Sequence, residues 1–155
     1  MSEETIKKLE GQGKLKKQKA GFIQVEGLLR TALADLHEAK ATLTIANTAT
    51  YVLAYMAMLK AGRALLLWKG YVPDDGAQHK TVVEVTGAIL GEKYKTLIDR
   101  FEMMRRKRNE LTYDIAKPLS RSEAEKAFTD AIDLVKNILK EVKDKNPQME
   151  LDFDL

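Results

Sequence analysis

A chain of 155 residues with 45% hydrophobic content has the length of one domain and enough apolar side chains to bury a core. It holds no cysteine and only two histidines, which excludes disulfides and thiolate metal sites, argues against a zinc centre, and points to a reducing compartment. A net charge of +3 is too small to establish nucleic-acid binding by itself, although the charges are unevenly placed.

Three prolines, 32% charged residues and the absence of any long alternating pattern predict an all-α protein. Residues 1–17 are expected to form an N-terminal extension, a short helix and a loop around the breaker Gly11-Gln12-Gly13. That Gly-x-Gly follows no strand, so it is read as a turn and not as a phosphate loop. Lys14, Lys16, Lys17 and Lys19 cluster beside it, and solvated surface accounts for them. A first long helix is predicted from about Gln18 to Thr42, with Phe22, Val25, Leu29, Leu33, Leu36 and Leu43 recurring on one side. Asn47 and Thr48 offer caps for a second helix that runs to Lys69 and stops at Gly70, suited to a left-handed C′ position. It is apolar almost all round and is therefore expected at the centre. Lys60 and Arg63 interrupt it, so it reads as a buried helix and not a membrane span. They require acidic partners or a solvent-facing strip. The N-terminus lacks the apolar run of a secretory signal, so a soluble, cytoplasmic protein without a membrane partner is expected.

Residues Tyr71 to Gly76 read as a plain turn, followed by a helix over about 78–90 that uses Val82, Val85 and Ile89 and stops at Gly91. A fourth long segment spans about 92–111. Ser120 with Glu123 then fits a capping box that opens a last helix to about Lys145, its face Ala124, Phe128, Ala131, Val135, Ile138 and Val142. Short connections make an up-and-down antiparallel bundle of four to five helices, within 18–145, the most economical architecture. Residues 146–155 are polar and acidic beyond a proline and are expected to form a flexible tail. Its segment Gln148 to Phe153 has the spacing of a short linear motif, similar to peptides that bind sliding clamps; the tail can equally screen a basic cluster.

The residue to explain is Arg108. At 100° per residue, Tyr94, Leu97, Ile98, Phe101, Met104 and Leu111 form one apolar stripe, and Arg108 falls near its centre, while Arg106 and Lys107 point to water. A guanidinium so placed needs a carboxylate, phosphate or carbonyl partner, because burying an unpaired charge costs several kcal/mol, roughly. Asp114 can supply a purely structural pair, and a cation is favoured in a last helical turn in any case. His79, in the turn before the third helix, and His37, at the edge of the first helix's apolar face, both read as structural. Trp68 and Tyr71 can stack on a base but more commonly serve as core or interface.

The stretch AYMAMLKAGRALLLWKGYVP, followed by RRKRNELTYD, resembles the HEPN superfamily (higher eukaryotes and prokaryotes nucleotide-binding domain), and the order of helices is similar over about 18–142. The resemblance implies an all-α bundle that forms a homodimer, often paired with a minimal nucleotidyltransferase in a toxin-antitoxin type system. It also implies RNA or nucleotide as ligand, with no metal and no cofactor. Ribonuclease members carry an arginine followed after four to six residues by a histidine. Here Arg108 matches the arginine, Asn109 the polar residue after it, and Tyr113 stands where the histidine belongs, an Arg-x4-Tyr form. A phenol with a pKa of about 10 is a far poorer base at neutral pH than an imidazole near 6.5. Equalising them requires roughly three units, about 4 kcal/mol, toward which Arg105, Arg106 and Arg108 push.

The favoured reading is therefore a HEPN nucleotide- or RNA-binding module in which Arg105, Arg106, Arg108 and Asp114 contact the ligand. The alternatives are a metal-independent endoribonuclease using Arg108, Asn109 and Tyr113, and a structural helical partner protein. Tyr113 as a hydroxyl acceptor for nucleotide transfer is a further role that the same stretch allows.

Overall fold

The protein is described by a computed structural model covering residues 2–19, 21–74, 78–113 and 118–155, the side chains of 2, 112 and 113 excepted. Six helices stand in order among the described residues: α1 (Ser2–Gly11), α2 (Phe22–Thr42), α3 (Asn47–Trp68), α4 (Gln78–Leu90), α5 (Lys95–Tyr113) and α6 (Arg121–Asp144). The all-α bundle is thus confirmed, five helices preceded by the short N-terminal one expected within 1–17, with one small addition. Strands β1 (Leu15–Lys17) and β2 (Tyr71–Pro73) pair antiparallel, with Leu15 opposite Pro73 and Lys17 opposite Tyr71. The turn expected over 71–76 is therefore a strand in its first half, and residues 75–77 lie outside the described residues. Period-2 alternation cannot announce a three-residue strand, because the pairing comes entirely from its distant partner.

The centre of the molecule is α3. Four helices, α2, α4, α5 and α6, pack around it, and β2 also touches it. Its row of small residues, Ala54, Ala57, Ala61, Gly62 and Ala64, lets neighbours approach closely, while Tyr55, Met58, Leu65 and Leu66 fill the space between. It is the one described helix long and apolar enough to cross a bilayer, and 72% of its most apolar window is buried inside the fold. The four-residue connection 43–46 turns α2 back along α3, and α6 lies against both.

Several local expectations need correction. Residues 17–19 belong to β1 and the loop after it, so α2 begins at Phe22, and Phe22 itself is 36% exposed. Asn47 is the first residue of α3 and not its cap. Ala46 holds the N-cap position without a side-chain bond, and Asn47 Nδ2 instead donates to the Leu119 carbonyl at 3.1 Å, tying α3 to the entry of α6. The capping box at α6 is present as expected, with the Ser120 hydroxyl accepting from the Glu123 amide at 3.1 Å. A short 3-10 turn over Glu92–Tyr94 precedes α5, so that helix starts at Lys95.

The two ends are packed. Leu9 of α1 and Leu15 of β1 are 2% and 3% exposed, so the N-terminal segment contributes to the common core. The segment expected as a flexible tail lies back on α2 and α6. Met149 and Leu151 are buried, Asp152 pairs with Lys143, Asp154 meets His37 at 3.2 Å, and Lys40 donates to the Leu155 carbonyl oxygen. Its alternating Met149, Leu151 and Phe153 supply apolar contacts that the overall acidity of the segment conceals. His37 is thus a tail contact.

Candidate functional site

On α5 the apolar stripe is real where it faces the core: Phe101, Met104 and Leu97 are all buried. Toward the C-terminal end the helix runs out to the edge of the bundle, where Leu111 and Arg108 are both half-buried. The guanidinium one turn earlier is better enclosed: the Arg105 side chain is only 16% exposed and donates bidentately to Glu102 at 2.7 Å and 2.9 Å. Glu102 also accepts from Arg106 at 3.0 Å. Those hydrogen bonds, the Arg105 pair foremost, hold the Glu102 carboxyl below the usual carboxylate range against the opposing effect of burial. Arg106 points to water as expected, but Lys107 is half-buried. Asn109 is exposed, while the side chain of Tyr113, and Asp114 altogether, lie outside the described residues.

What the structure adds is a buried tyrosine and a histidine from other helices. Tyr55 of α3 is fully buried beside Phe101, with ring centroids 5.9 Å apart, and its hydroxyl lies 3.0 Å from Nδ1 of His79, the second residue of α4. Burial pushes the Tyr55 phenol up to about 12, against the downward pull of Arg105, Arg108 and Arg63. It is therefore protonated at neutral pH. Burial also pushes the His79 imidazole down, and Arg63, Arg108 and Arg105 push it further the same way. The pair is neutral, set against guanidinium groups from two helices. Arg63 reaches α4 too, donating to Gln78 Oε1 at 3.3 Å, while its Nε is a buried donor without a hydrogen-bond partner among the described residues.

Arg63, Arg105 and Arg108 thus converge electrostatically on one Tyr55–His79 pair. Of these, Arg108 was the expected centre and Arg105 an expected contact; Arg63 entered the sequence reading only as a cation in need of an acidic partner or a solvent-facing strip. His79 was read as a structural residue in the turn before α4; it is instead the second residue of that helix, 24 positions from Tyr55 in the chain, and only the packing of α4 on α3 brings the two together. The available hint was weak. Tyr55 and Arg63 are eight apart and so fall on roughly the same side of α3.

Other polar residues on α3 and at its end are accounted for. Lys60 Nζ lies 2.7 Å from Asp35 Oδ2 of α2, an ion pair outside hydrogen-bond geometry. Trp68 carries the ammonium groups of Lys69 and Lys145 over its ring at 4.6 Å and 5.4 Å, contacts that compete with stacking of a base. A cavity of about 770 Å³ between α1, α4 and α5 is lined by Glu4, Glu84, Glu92 and Asp99 against Lys95, a charge pattern that repels phosphate. Among the described residues no three His, Asp or Glu side chains group as metal ligands.

An all-α bundle with an arginine cluster at the end of its fifth helix is the class of protein that this fold and site define. The model of the HEPN domain matches residues 25–145, most of the chain, and the chain belongs to that family. It is accordingly a nucleotide- or RNA-related module. No curated protein and no solved structure matches it.

Proposed function

We propose that the chain is a HEPN binding module that holds the phosphate of an RNA or nucleotide at Arg63, Arg105 and Arg108, without efficient cleavage by itself. The observation that carries this reading is a set of half-buried guanidinium groups on two helices packed together, Arg63 of α3, bonded to Gln78 at the start of α4, and Arg105 and Arg108 of α5. Planar guanidinium donors suit phosphate oxygens, and partial burial strengthens each contact relative to one in open water. The absence of a histidine four to six residues after Arg108 supports binding over catalysis. The homodimer and a partner nucleotidyltransferase in a toxin-antitoxin type pair belong to the same proposal and rest on the family resemblance; a cytoplasmic location belongs to it too and rests on the N-terminal composition and the cysteine-free sequence.

The test is a gel shift with a mixed RNA pool in EDTA, comparing wild type with Arg108→Ala. Loss of one charged phosphate contact is expected to weaken binding by about tenfold or more, with the circular dichroism of the fold retained. RNA affinity and partner affinity both unchanged in a folded Arg108→Ala protein would overturn the reading. Arginine-dependent cleavage in the same samples would replace it with a ribonuclease.

A further inference from the structure

We propose that the recess between the β1–β2 ribbon and the end of α3 is a second anion site, which holds the sugar-phosphate backbone of an RNA strand on Lys17, Lys19 and Lys69. It shares only the RNA ligand with the reading above. Its residues are different, so the two can fail separately.

The recess has a volume of about 400 Å³ and is lined by Lys17, Gln18, Lys19, Lys69, Gly70 and Tyr71, three lysines and no carboxylate. Two distant segments build it. Lys17 lies opposite Tyr71 in the ladder, and the Gln18 amide donates to the Gly70 carbonyl at 2.9 Å, which holds the first segment against the cap of α3. All three lysines are exposed, and among the described residues none of them pairs with a carboxylate. Neighbouring lysines are already engaged and do not enter the site: Lys16 meets Asp74 at 3.6 Å, and Lys145 meets Glu141 at 3.2 Å.

A helix end attracts a cation, which accounts for Lys69 at the C-cap of α3. It does not account for Lys17 and Lys19, which belong to a much earlier segment set beside α3 by a pairing of three-residue strands. Three ammonium groups around one recess repel one another, and an anion among them replaces that repulsion with attraction. The side chains choose the kind of anion. Lysine is a flexible point charge without the planar fork that orients one phosphate, and in open solvent a single small anion is screened by salt. A strand with a phosphate at every step engages several lysines at once and releases its condensed counterions, a gain that a small ion does not supply. Tyr71, half-buried in the same lining, adds a ring on which a base can stack. A lipid surface fits less well, because the recess presents no aliphatic side chain for insertion; Phe22 and Ile23, exposed at the start of α2, are the residues a membrane would use.

The experiment uses the full chain and a mixed-sequence single-stranded RNA of about 20 nucleotides, with affinity read by fluorescence anisotropy over a series of salt concentrations. The test variant combines Lys17→Gln, Lys19→Gln and Lys69→Gln, exposed positions whose loss leaves the circular dichroism of the fold unchanged. It is expected to bind roughly tenfold or more weakly near physiological salt, and to flatten the slope of log affinity against log salt by about 2, from three phosphate contacts at about 0.7 each. A control combining Lys7→Gln, Lys93→Gln and Lys136→Gln removes the same charge from exposed positions outside the recess and is expected to keep the slope. An unchanged slope and affinity in the test variant, or an equal loss in the control, would overturn the inference. So would a test variant that keeps its RNA affinity but no longer binds vesicles containing phosphatidylserine, which would make the recess a membrane contact. If Arg108→Ala binds the RNA as wild type does while the lysine variant does not, the arginine reading falls and this site stands. If only Arg108→Ala loses affinity, this site falls and the arginine reading stands.

Discussion

Gly62→Ala opposes two effects that can be weighed from the structure. In the middle of α3 an alanine is favoured over glycine by about 0.5–1 kcal/mol, so helix propensity alone predicts a more stable protein. The new Cβ, however, would meet Val82 Cγ1 and Thr86 Oγ1 of α4, each at 2.8 Å, with Phe101 of α5 behind them at 3.9 Å. Both contacts belong to β-branched side chains in a helix. Thr86 can rotate between two rotamers, but valine has essentially one, so α4 itself must move. Overpacking of this kind costs about 1–3 kcal/mol. Packing therefore wins, and the net loss should be about 1–2 kcal/mol, a fall in melting temperature of roughly 3–6 °C for a domain of this size. Urea and thermal unfolding measure it. Because α4 carries His79, displacing α4 from α3 should also loosen the Tyr55–His79 bond, and in the double variant with Val82→Ala the two losses should sum to more than the measured one. A Gly62→Ala protein more stable than wild type would refute the claim that close α3–α4 contact governs this position.

Lys60→Met should cost roughly 2–3 kcal/mol by urea unfolding, because it leaves the largely buried Asp35 carboxylate without its cation, whereas Lys60→Met with Asp35→Leu should recover most of the loss; equal destabilisation by both would contradict the pairing. His79 has a folded pKa below its ordinary 6.5, so its contribution to stability is fully present above that value and is lost as pH falls toward and through the folded pKa. Wild type should consequently lose stability more steeply than His79→Gln between about pH 7 and pH 5. The depressed Glu102 carboxyl acts only lower, below its ordinary 4.5, and does not confuse the comparison. Parallel stability curves for the two proteins in the upper window would sink the idea that His79 is held neutral.

The long helices were legible because their signals are local. The 3.6-residue recurrence of Val25, Leu29 and Leu36 on α2, and of Phe128, Val135 and Val142 on α6, is a property of neighbouring residues, and so are the capping box at Ser120 and the stop at Gly70, which adopts a φ of +93°. Arg108 and Arg105 could be singled out for the same reason, since helical spacing alone places them beside the Phe101 and Met104 stripe. The segment around Asn47 shows the limit. A good capping residue was available, but its amide side chain is used by the carbonyl of Leu119, which lies 72 residues away, and no local rule can anticipate that contact.

The sequence by itself therefore determined the order of the helices, the central place of α3, the arginine motif and the family. Tertiary structure alone decided what surrounds the motif. The β1–β2 pairing, the docking of Met149 and Leu151, the Lys60–Asp35 pair, and above all the meeting of Tyr55 and His79 with the arginines are contacts between elements far apart in the chain. Their partners are chosen by how amphipathic faces pack around α3, and hydrophobic burial, which drives that packing, is non-directional. Periodicity marks which face is buried but not which residues it will meet.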